Sequence, residues 1–146
     1  MLLTRGRLAL LDKVGTCTLH YDSGNWGHSV VSRLSLKHET VECCTLERFL
    51  ETHEIEGCDF VKFNCEGAEF PILMSSNRDV LRRIRKMLVL YHCDLWRSSE
   101  TLTPADAQNV ILANGCEAVT LTTAGEIADK SGEKSPCVCK LWRRIS

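Results

Sequence analysis

The sequence predicts an α/β fold: a mixed, mostly parallel sheet with flanking helices. Three observations carry this. Residues 59–63 (Asp-Phe-Val-Lys-Phe) form a short, apolar, β-prone run that breaks into polar residues and Gly67, with Phe70, Ile72 and Leu73 behind it at helical spacing. Lys86–His92 (Lys-Met-Leu-Val-Leu-Tyr-His) is the strongest buried-strand signal in the chain. Around these runs helical and strand patterns alternate, the order that builds βαβ units and a parallel sheet.

Taken in order, residues 6–11 are a short apolar run and a candidate strand. Residues 12–15 are turn-like, and 16–21 alternate β-prone residues and read as a strand. Residues 22–27 (Asp-Ser-Gly-Asn-Trp-Gly) are dense in turn formers, and 28–36 are expected to pair back. Residues 40–44 are a further strand. Thr45 is suited to cap a helix running through Glu54, with Glu47 in its first turn. Leu46, Phe49, Leu50 and His53 fall at i, i+3, i+4 and i+7, one core-facing stripe. Gly57 is expected to allow the reversal into the 59–63 strand. Pro71 fits a helix that has just begun, where its missing N–H is no loss. Val80, Leu81 and Ile84 give the apolar side of a helix over 77–85. Thr103, Pro104 and Asp106 mark another helix start, Ala107, Val110, Ile111 and Asn114 share one face of it, and Gly115 ends it. Residues 117–122 read as a strand, 124–136 as a solvated loop and 137–142 as a last strand.

At 146 residues the chain is one domain at most, and 44% hydrophobic with 25% charged residues is ordinary for a soluble globular protein. The net charge of −1 gives no global field directed at nucleic acid or a membrane. The basic runs Arg82-Arg83-Ile84-Arg85-Lys86 and Arg143-Arg144 read as a solvated helix face and a charged tail. Residues 1–11 are Leu-rich, but Arg5 and Arg7 interrupt them, and the run is too short to span a bilayer. Nine cysteines without a leader pattern read as reduced thiols in a cytoplasmic setting rather than a disulfide framework. Cys137-Val-Cys139 and Cys43-Cys44 are not Cys-x-x-Cys knuckles. Cys65, His92 and Cys93 converge only if neighbouring strands bring them together. A metal-binding Cys/His module is therefore an alternative, set against buried apolar thiols, and no residue is assigned as a metal ligand.

Ligands of open α/β sheets bind at the carboxyl ends of parallel strands. Asn64, Cys65, Glu66 and Glu69 sit at such an end, and Glu66 and Glu69 also lie near the positive end of the following helix. Glu66 and His92, at the ends of two adjacent strands, are the candidates for moving a proton, His being suited to this near neutral pH. Their structural alternatives stay open: a helix-start carboxylate satisfying backbone N–H groups, and a strand-end histidine bonded to backbone. Lys62 and Glu69 are candidates for substrate contact or for pairing and capping. Trp26 and Trp96 are candidates to wall a substrate pocket or simply to pack loops.

The stretch Asp59, Phe60, Lys62, Glu66, Gly67, Ala68, Glu69 and Phe70 resembles the signature of the FkbM family of S-adenosylmethionine (SAM)-dependent methyltransferases. Val41, Thr45, Leu46, Phe49 and Leu50 before it, and 81–85 with Tyr91-His92 after it, extend the resemblance over roughly residues 6–122. It implies a Rossmann-like class I methyltransferase fold, closing on an antiparallel last strand. It also implies SAM as cofactor, a small-molecule or sugar hydroxyl as substrate, and transfer of a methyl group to that oxygen. Ala9 and Leu10 match the segment that reaches the adenine. Asn64 stands at the cofactor and catalytic edge where the family usually carries Asp, and Leu90 where it tends to carry Glu. No Gly-x-Gly occurs in the sequence, so the resemblance covers the C-terminal portion of a domain. Residues 1–146 are then a single partial domain, about 1–40 a β-rich excursion after its third strand and 41–146 the alternating core with its terminal strands. A complementing N-terminal half or an oligomer would complete it. The alternative from the same residues is a non-catalytic methyltransferase remnant.

Overall fold

The structure is a computed structural model describing residues 7–22, 27–31, 36–92, 104–119, 127–128, 134–135 and 137–144. Its first three strands make a sheet of their own. β1 (Leu8–Leu10) runs parallel to β3 (His38–Cys44), and β2 (Gly15–His20) runs antiparallel to β3 on its other side. The segment after β2 pairs back only at Ser29, through an isolated bridge to His20, and 32–35 lie outside the described residues.

Thr45 caps α1 (Leu46–Thr52), its hydroxyl accepting from the Arg48 N–H at 3.2 Å. Leu46 and Leu50 are buried and Phe49 partly so, but His53 is exposed, stacked on Phe49 at 4.5 Å where the helix ends. The reversal expected at Gly57 occurs earlier, at Glu54, which takes the left-handed φ of +53°.

β4 (Val61–Phe63) is shorter than the strand expected over 59–63. Cys58 makes a separate parallel bridge to Ile84, and Phe60 is 51% exposed. The reason is position: in the four-stranded sheet of order β4-β5-β9-β6, β4 is an edge strand. α2 (Glu69–Ser75) and α3 (Arg78–Arg82) follow, and Pro71 sits in the first turn of α2, where no helix bond is lost. Asn77 caps α3 by accepting from the Val80 N–H at 3.0 Å and donates to Glu47 of α1 at 2.9 Å.

β5 (Lys86–His92) forms over the predicted span and pairs parallel with β4. α4 (Pro104–Ala113) ends at Gly115, whose φ of +80° favours a residue without Cβ. Thr103, its expected cap, lies outside the described residues. β6 (Cys116–Val119) and β9 (Cys137–Arg144) complete the sheet. The span expected to be loop contains a two-residue pairing, β7 (Ile127–Ala128) with β8 (Lys134–Ser135).

Only β4–β5 is parallel in the main sheet; β9 is antiparallel to both β5 and β6. The sheet is thus mixed, and the expectation of mostly parallel pairing is corrected. The alternating pattern reports burial and order, not direction, and β9, which enters between β5 and β6, runs antiparallel to both. Phe63, Met87, Val89, Tyr91, Ile111 and Trp142 are nearly or fully buried in the core between sheet and helices, and Leu11, Cys43, Leu46 and Leu50 join the smaller sheet to it. No helix among the described residues is long and apolar enough to cross a membrane.

Candidate active site

The site is built on the turn between β4 and α2. Glu66 and Gly67 take consecutive positive φ values, +50° and +99°. Gly67 adopts this freely, whereas a side chain at Glu66 costs about 1 kcal/mol in that region. The double reversal turns two backbone N–H groups inward onto one carboxylate. Cys65 N–H donates to Glu69 Oε1 at 2.5 Å and Gly67 N–H to Glu69 Oε2 at 2.9 Å. Glu69 is the first residue of α2 and is 0% exposed. A buried carboxylate is tolerated when its oxygens are satisfied in this way.

His92, at the carboxyl end of the adjacent strand, closes the group. Its Nδ1 lies 2.9 Å from Glu69 Oε1, and its Nε2 lies 3.7 Å from Glu66 Oε1. The side chains of His92 and Glu66 are 14% and 24% exposed, so they form the reachable side of the cluster while Glu69 lies behind it. Burial, with the Glu69 charge next in weight, pushes the Cys65 thiol up to about 11, so it is neutral beside them.

The small sheet supports this turn from outside. Ser29, itself buried, donates from Oγ to the Glu66 carbonyl at 2.7 Å and accepts from the Val31 N–H at 3.2 Å. Gly27 packs on the Glu66 side chain, and a Cβ there would stand 2.8 Å from Glu66 Cδ. Next to Gly27, His28 stacks edge-on against Tyr21 at 4.8 Å, and both line a cavity of about 410 Å³ with Leu8 and Ala9.

Of the residues singled out in the sequence, Glu66, Glu69 and His92 come together. Asn64 and Lys62 are exposed at and near the end of β4, outside that contact group. Ala9 opens onto the cavity, and Leu10 beside it is partly buried. Trp26, Trp96 and Cys93 lie outside the described residues. Of the two alternatives left open for Glu69, substrate contact or pairing and capping, its burial and its bonds to the Cys65 and Gly67 N–H groups and to His92 fit the second. Sequence reasoning missed Gly27 and Ser29, whose roles depend on contact across 37 residues or more. Among the described residues, no group of three or more His, Cys, Asp or Glu is arranged to hold a metal ion.

The methyltransferase FkbM domain matches residues 8–112, a span that takes in Ser29, the 64–68 turn, α2 and His92. The chain belongs to the FkbM methyltransferase family. No curated protein and no solved structure gives a match. The FkbM match covers most of the chain from β1 through α4, so the cluster of Glu66, Glu69 and His92 is a feature of its FkbM region.

Proposed function

We propose that this FkbM chain supports SAM-dependent O-methylation of a hydroxyl on a sugar or similar small molecule. The observation that carries the reading is the Glu66–His92 pair, partly exposed at the ends of two adjacent parallel strands. SAM, when bound, supplies an activated methyl group. What remains for the protein is to align the acceptor oxygen and take its proton. In this reading His92 accepts the proton at Nε2, and the Glu66 carboxylate stabilises the resulting imidazolium. A negative group 3.7 Å away favours the charged form of the ring.

The chain's residues fit SAM in part. Ala9, with Leu10 beside it, is assigned to the adenine end, and the exposed Asn64 amide to the polar edge at the end of β4. The N–H groups of Cys65 and Gly67 are taken by Glu69. We therefore assign the amino-acid tail to a complementing N-terminal half, or a second copy, pairing along the outer edge of β4. The strand order β4-β5-β9-β6 with antiparallel β9 supports a Rossmann-like class I sheet open on that side. Lys62, Trp26 and Trp96 remain assigned to the acceptor. A cytoplasmic setting is supported by free thiols at Cys17, Cys43, Cys44, Cys58, Cys65 and Cys116.

Titration with SAM by calorimetry, followed by transfer of labelled methyl to a panel of hydroxyl acceptors, tests the reading. H92Q is expected to lower transfer by about 10²- to 10⁴-fold with SAM binding retained. A folded protein that neither binds SAM nor transfers methyl overturns it. That outcome favours the second reading, a non-catalytic remnant, which draws on Asn64 standing where a carboxylate is usual.

A further inference from the structure

We infer that Glu69 is a positioning residue: from a fully buried site it holds the His92 ring in one orientation and one tautomer, with Nδ1–H toward α2 and Nε2 as the basic nitrogen. This deepens the proposed function and rests on His92 as the proton acceptor.

Three features support it. Glu69 Oε1 is 2.9 Å from His92 Nδ1, and an ionised carboxylate only accepts, so the proton of that bond belongs to Nδ1. The carboxylate itself cannot swing away, because Cys65 N–H and Gly67 N–H hold one oxygen each at 2.5 and 2.9 Å, and its surface is wholly enclosed. The backbone that presents those N–H groups includes Glu66 in the left-handed region, a conformation that a residue with a side chain keeps only where surrounding contacts require it. The arrangement has the form of a base whose far nitrogen is oriented by a second group. A solvent-exposed Glu at the same position would leave the ring free to flip.

Among the described residues, the carboxylates within 4 Å of the His92 ring are Glu69 from α2 and Glu66 from the turn. A nearby negative charge favours the imidazolium, and of these two carboxylates Glu69 is the one at hydrogen-bond distance from Nδ1. Removing its charge while keeping its shape therefore weakens the base from behind.

The test is NMR of the full chain labelled with ¹⁵N, read at the His92 ring nitrogens across a pH series, with no SAM or acceptor present. In the wild type the neutral ring is expected as the Nδ1–H tautomer. In E69Q the titration midpoint of His92 is expected to fall by about one pH unit. A neutral wild-type ring carrying its proton on Nε2 overturns the inference, and so does an E69Q midpoint equal to that of the wild type. If E69Q does not fold, the wild-type tautomer alone decides. Because neither readout involves methyl transfer, the positioning role and the methyltransferase activity fail separately.

Discussion

Gly27 and Glu66 show how much of this site depends on single atoms. The Gly27 backbone is not in the left-handed region, so G27A is permitted conformationally, but its Cβ would meet Glu66 Cδ at 2.8 Å and Cγ and Oε1 at 3.0 Å. The side chain that yields is Glu66, which moves relative to His92. G27A is expected to keep an unfolding midpoint close to that of the wild type while methyl transfer falls by about 10- to 100-fold. Denaturant unfolding and initial rates on the same preparation check both halves. At Cys65, burial and the neighbouring Glu69 charge move the thiol from 9.0 to about 11. The thiolate is the reactive species, so two units leave about 100-fold less of it at pH 8. Alkylation of Cys65 in the native chain, followed by mass spectrometry, is expected to be slower than in denaturant by at least that factor.

At the level of elements, local chemistry accounts for most boundaries. Thr45 caps α1 and Asn77 caps α3, each bonding a backbone N–H three residues on. T45A is expected to cost about 1 kcal/mol, measured by denaturant unfolding, because the Arg48 N–H loses its partner. β5 was legible over its whole length, since its alternation of buried and half-buried residues matches a strand covered on both sides. Phe60 was not. Its apolar side chain reads as core, but edge position decides its exposure, and edge position depends on strands distant in sequence. The same holds for β3, which belongs with β1 and β2 rather than with β4 and β5. At the site, Glu66 and His92 were readable as strand-end polar residues. The burial of Glu69 had a signal that went unused: it stands between Ala68 and Phe70, both buried, at the first position of a helix.

For the molecule as a whole, the order β4-β5-β9-β6 leaves β4 with one side unpaired within the described sheet. Exposed edges invite pairing with other chains, and a charged side chain on such a strand discourages it. Lys62, exposed at the centre of β4, occupies that position. K62V is expected to increase self-association, read as a concentration-dependent shift to larger species in light scattering behind size exclusion, without loss of secondary structure.

The bond from Ser29 to the Glu66 carbonyl ties the segment that bridges back to β2 onto the turn between β4 and α2. The Glu66 backbone is therefore held both by its own turn and by a residue 37 positions earlier in the chain. A change at Ser29 would thus be felt at Glu66, although the two lie on separate stretches of the sequence.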